Sequence, residues 1–143
     1  MKKLIIVILF FCSSFLVFAA DTITAPNDVS LSCVRKQSKE SISLTLTYYS
    51  DADGKTITVQ ATTGTGTPVA GAKLFIKGGD LTDYTLLITG SSGDGSKTLE
   101  NATSFGDNSI ENIYLKLDAS GVTAGASGLN VPWTYTLTYT LTQ

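Results

Sequence analysis

Apolar and polar residues alternate one by one along much of this chain, the spacing that sends successive side chains to opposite faces of a β-strand. Ile42, Leu44, Leu46 and Tyr48 fall on one face of such a strand, with Ser43, Thr45 and Thr47 on the other. The turn-forming run Ser50-Asp51-Ala52-Asp53-Gly54 follows, then Ile57-Thr58-Val59, and this order predicts a hairpin. Further strands are expected over 29–34, 72–77, 84–89, 97–99 and 110–118, with Gly- and Ser-rich punctuation at 63–67, 90–95 and 119–128. No window carries a helical period. About seven to nine short strands with turn signals between them predict an all-β fold, an immunoglobulin-like antiparallel β-sandwich, with a β-barrel as the alternative.

The last element has the clearest pattern. Trp133, Tyr135, Leu137, Tyr139 and Leu141 share one face of a strand, and Thr134, Thr136, Thr138, Thr140 and Thr142 share the other. Pro132 stands at its start, where a missing N–H is tolerated. Residues 133–142 would span about 33 Å at about 3.3 Å each, and none is charged. Sheet edges are normally blunted by Lys, Pro, bulges or shortness. A strand without these devices is expected inside a sheet, or paired at its edge with another subunit.

The first residues read differently. Lys2 and Lys3 precede an apolar run from Leu4 to Cys12 that resumes at Phe15 and ends in Val17-Phe18-Ala19-Ala20. This is the charged head, apolar centre and small-residue cut site of a secretory signal peptide, with cleavage expected after Ala19. The apolar centre falls short of the roughly 20 residues of a membrane span. The expected organisation is a leader over 1–19 and a single β-sandwich domain over 20–143, secreted or displayed at the cell surface, with no membrane insertion after cleavage.

Loss of Lys2 and Lys3 would take ten basic side chains to eight against twelve acidic ones, a net charge of −4. That balance argues against nucleic acid as a partner, which calls for a basic patch. The mature chain would retain one cysteine, Cys33, which continues the alternation of Val29 and Leu31 and reads as a small apolar core residue.

The chain has no histidine. Histidine bases, Ser-His-Asp and Cys-His nucleophile systems and histidine-ligated zinc are therefore excluded. Asp51-Ala52-Asp53-Gly54 opens like a calcium loop but lacks the later oxygen ligands, so it reads as a turn. Asp80 and Asp83 read as loop residues. In Gly90–Thr98, Ser96 separates Gly95 from Lys97, which breaks the phosphate-loop pattern. Asn101-Ala102-Thr103 has the glycosylation spacing and marks a surface loop. No cofactor, metal site or catalytic residue is expected.

From Pro132 to Gln143, Tyr135-Thr136-Leu137 and Tyr139-Thr140-Leu141 resemble the aromatic-x-Leu closing strand of the WxL cell-surface family, with Tyr in place of its Trp. The Thr-rich alternation is also similar to that of β-sandwich pilins. The resemblance implies a noncatalytic structural or adhesive protein of the cell exterior, a filament or surface subunit whose partners are its own copies or other surface subunits. Pilin-like assembly works by β-strand addition. Asp21–Pro26, centred on Ile23, is then a candidate donor segment, against the plainer reading of a loose tail. Ile23, Trp133, Tyr135 and Tyr139 are the candidate assembly residues. The alternative is a secreted ligand-binding module, most simply for a glycan, with Tyr49 and Tyr114 as stacking residues on outward faces.

Overall fold

The computed structural model describes residues 20–31, 36–123 and 133–143. Residues 1–19, expected as a leader, and Cys33 and Pro132 lie outside the described residues. Ten strands form within them: β1 (Thr22–Thr24), β2 (Ser38–Glu40), β3 (Leu44–Ser50), β4 (Thr56–Thr63), β5 (Lys73–Gly78), β6 (Leu81–Thr89), β7 (Ser92–Gly93), β8 (Lys97–Glu100), β9 (Gly106–Asp118) and β10 (Tyr135–Thr142). They make two antiparallel sheets. The larger runs β1-β3-β9-β5-β6-β7, with β2 also on β9, and the smaller runs β10-β4-β8. The expected all-β sandwich is the architecture observed, with one sheet curled as a half-barrel. No helix among the described residues is long and apolar enough to cross a membrane.

The core lies between the sheets. Leu44, Leu46 and Tyr48 from β3, Leu74 and Ile76 from β5, and Ile113 and Leu115 from β9 meet Ile57, Val59 and Ala61 from β4 and Leu99 from β8. A smaller cluster of Val69, Ala72, Ala119 and Val122 closes one end. The main core consists largely of the apolar members of alternating runs, so the two-residue period is the direct cause of the layer structure. The end cluster comes instead from the turns before β5 and after β9.

Several details depart from the expected pattern: residues 29–31, expected to open a strand, lie in none, and three others follow. First, Ile42 is not in the row of Leu44, Leu46 and Tyr48; it is 82% exposed. The chain leaves alternation before β3 begins, since Ser41 N–H donates to Leu115 O at 2.8 Å while Leu44 faces Ile113, three residues against two. Separately, Leu46 faces Ile110, so β9 carries one extra residue in a β-bulge. Asn112 in that bulge has φ 57, and its Oδ1 accepts a hydrogen bond from Ser43 Oγ at 3.3 Å. Ser41, not Ile42, turns inward, and its Oγ accepts the Leu115 N–H at 2.9 Å.

Second, β3 and β4 do not form a hairpin. They belong to opposite sheets, and residues 51–55 carry the chain across the core as an arch. Ser50 makes this possible: it is fully buried, and its Oγ donates to Ala52 O at 2.6 Å and lies 3.1 Å from Thr103 Oγ1. Third, Asp83 lies within β6 rather than in a loop. The tight turn precedes it, at Gly79-Asp80 between paired Gly78 and Leu81.

The sandwich is closed along one side and open along the other. On the closed side Asp80 N–H donates to Leu99 O at 2.8 Å, and Asp80 Oδ2 accepts both the Asn101 N–H and its Nδ2, each at 2.8 Å. Gly79 is required there: at φ +58, a Cβ on it would stand 2.1 Å from Leu99 O. On the open side β1 comes near β10, but no ladder joins them.

Candidate functional site

The open side is built by the two ends of the folded chain. β1 adds to the edge of the larger sheet, with Thr22 opposite Tyr49, Ile23 opposite Tyr48 and Thr24 opposite Thr47. Ile23 packs onto the core. The segment expected as a donor strand or a loose tail is thus seated on its own chain. An ion-pair cluster secures it. Lys55 Nζ contacts both the Asp21 and Asp51 carboxylates, and Asp21 Oδ1 accepts the Asp51 N–H at 2.9 Å. The Lys55 side chain is only 6% exposed, so its charge is compensated inside the structure. The hydrogen bond from Lys55 lowers the Asp21 pKa, and those to Asp21 and then Asp51 raise that of Lys55. The Asp51–Gly54 turn spends its acids on the protein itself, since Asp53 Oδ1 accepts the Phe105 N–H at 2.6 Å.

β10 forms the other lip. It pairs with β4 without a break from Tyr135 opposite Thr63 to Thr142 opposite Thr56. It does not lie inside a sheet, as the edge argument first favoured: it is the terminal strand of the smaller sheet, and among the described residues nothing pairs with its other side. Thr136, Thr138, Thr140 and Thr142 are exposed on the outer face, while Tyr135, Leu137, Tyr139 and Leu141 pack on the core yet stay half-buried. Burial drives the Tyr139 pKa up to about 12. The Tyr135 hydroxyl donates to Gly90 O at 3.1 Å. Trp133 stands before the strand, not in it, and packs against the end cluster of Val69, Ala72, Ala119 and Val122. Of the four assembly residues, Ile23, Tyr135 and Tyr139 border one core, and Trp133 serves the other.

The remaining edges are shorter or carry charge. β8 has four residues, including Lys97 and Glu100, and β1 has three. β6 is kinked by register shifts and contains Asp83.

The two tyrosines of the ligand-binding alternative do not converge. Tyr49 lines a shallow depression with Thr22, Thr24, Asp107 and Asn108, whereas Tyr114 lines another with Lys77, Asp80, Glu100 and Glu111. Phe105, 63% exposed, stands edge-on to Tyr49 at 6.0 Å between ring centres, a contact that alternation could not reveal because Phe105 sits in a loop. Around Tyr114 the sheet's other aromatic faces are occupied. Lys116 Nζ lies 5.1 Å from the Tyr84 ring and 5.8 Å from Phe75, and Lys77 Nζ lies 5.9 Å from Tyr84. Cations on these rings take the surface a sugar would stack against. The Tyr84 hydroxyl is buried beside the Glu40 carboxylate; burial and then Glu40 raise its pKa to about 12. In the second depression burial and the Asp80 charge raise the Glu100 pKa.

Comparison with protein-family models, with curated proteins and with solved structures gave no match to this chain.

Proposed function

We propose that this is a noncatalytic structural or adhesive protein of the cell exterior, a filament or surface subunit that assembles by β-strand pairing. One observation carries the reading: β10 presents eight uncharged residues along a sheet edge that nothing pairs with among the described residues, without a bulge in its ladder to β4. Such an edge offers a row of free N–H and C=O groups to another chain. Its apolar row is half-exposed, so a neighbouring strand would also cover surface the core leaves open. The leader-like residues 1–19 and the likeness to surface-protein closing strands support export. Sedimentation velocity and negative-stain microscopy of the exported protein test the reading. Concentration-dependent association or fibres are expected, and a monomer at every concentration overturns it.

A second reading, a glycan-binding module, is favoured by the exposed Phe105 against Tyr49, which itself lines a shallow depression. A glycan-array signal abolished by Tyr49→Ala and by Phe105→Ala, with the fold intact, would establish it. Loss through Tyr114→Ala instead would move the site to the second depression.

A further inference from the structure

We infer that the occupant of the β10 edge is β10 of a second copy, paired antiparallel about a two-fold axis through Thr138. The inference rests on the strand-pairing reading above and specifies its partner.

The register follows from the alternation. Residues directly opposite in an antiparallel pair project to the same face. The threonine row of one copy must therefore meet the threonine row of the other, or one copy would turn its core-facing row to solvent. With Thr138 opposite Thr138, Thr136 meets Thr140, Leu137 meets Tyr139, and Tyr135 meets Leu141. Every apolar residue of β10 then faces an apolar one, in the aromatic–aliphatic pairs that stabilise sheets, and threonine faces threonine throughout. The adjacent allowed registers fit less well. Centring on Tyr139 sets Tyr135 against Gln143, and centring on Leu137 sets Leu141 against Trp133, which is committed to the end cluster.

Self-pairing is also the choice that the other edges leave. A head-to-tail contact needs a second acceptor edge, and among the described residues β1 and β8 are too short while β6 is kinked and carries Asp83. An edge that can match only itself makes an isologous contact, which closes as a dimer. The two smaller sheets become one six-stranded sheet, β8-β4-β10 continued by the same three strands reversed. The added strand covers the open lip above Ile23. Longer assemblies would then be built from dimers through some other surface.

The test uses the exported protein carrying Cys33→Ser. Under mild oxidation Thr138→Cys is expected to give a covalent dimer. Thr136→Cys and Thr140→Cys are each expected to remain uncrosslinked alone but to crosslink when mixed. All three positions are exposed, so the core is untouched. Without oxidant, Thr138→Lys is expected to sediment as a monomer, and mixing it with Thr138→Glu should restore association several-fold over either alone. A dimer that survives Thr138→Lys, or Thr136→Cys crosslinking by itself, overturns the inference. If larger assemblies form and ignore every β10 substitution, this register falls while strand-edge assembly through another strand stands. If the unsubstituted protein never associates, both readings fall.

Discussion

Lys55 ties the first residues of the folded chain to its body, and its behaviour with pH can be worked out from its partners. Asp21 titrates below the ordinary carboxylate value of 3.8, and Lys55 above the ordinary amine value of 10.5. A lowered carboxylate stabilises the fold above its unfolded value and gives that up as pH falls through its folded one; a raised amine stabilises below its unfolded value and gives that up as pH rises through its folded one. The anchor is therefore intact between these limits and fails at both extremes. NMR titration of the Ile23 methyl groups should show β1 leaving Tyr48 below pH 3.8, while the signals of Leu46 and Ile113 persist. Lys55→Met should release β1 at neutral pH, because Asp21 and Asp51 would face each other without a cation; rapid proteolysis within residues 20–26 would report it. Gly79 is a second sensitive position. Gly79→Ala should cost about 1–3 kcal/mol in a denaturant melt, from its positive φ and the collision with Leu99 O.

At the level of elements, the bulge at Asn112 lets Ile110 and Ile113, three positions apart on β9, both face inward. Asn112→Gly should be neutral to about 0.5 kcal/mol, whereas Asn112→Val, β-branched at φ 57, should destabilise by about 1–3 kcal/mol. Leu46→Ala, at a fully buried site, should cost about 2–5 kcal/mol. Such irregular steps also mark where the sequence stopped being readable. Strict alternation identified the inward rows of β3 and β10, because a half-buried strand is written as a local period of two. It misplaced Ile42, since the step out of alternation falls just before β3, where three residues from Ser41 to Leu44 stand against two from Leu115 to Ile113, and no local pattern marks that extra residue. It made a hairpin of β3 and β4, since Asp-Ala-Asp-Gly suits any reversal, and only the burial of Ser50 against Thr103 commits the chain to crossing the core. The reading of Asp80 and Asp83 as loop residues passed over the Gly78-Gly79 pair, a more specific mark of the tight turn before β6. The candidate site was legible in part. The uncharged alternation around Tyr135 and Tyr139 stood out, but whether β10 lay inside a sheet or at its edge depends on pairing with β4, which no local pattern encodes.

For the whole molecule, the noncatalytic reading makes a negative prediction of its own. Glu100, Asp80 and Glu111 line one depression, and burial raises the Glu100 pKa, so this is where carboxylate chemistry would reside. Purified protein should give no turnover on a panel of glycosides. A rate that disappears with Glu100→Gln would replace the structural reading with an enzymatic one.

The seating of both ends of the fold has a mechanical consequence. Asp21 is bound to Lys55, and Thr142 pairs with the next residue, Thr56, so entry and exit share a corner. A tether pulled between those ends would load that corner alone. Its force would peel back three residues of β1 and the tip of β10 before reaching the hydrophobic interior. Force arriving sideways through the β10 ladder would instead be spread over eight residues at once. A molecule arranged this way resists strain across its flank and yields readily along its backbone.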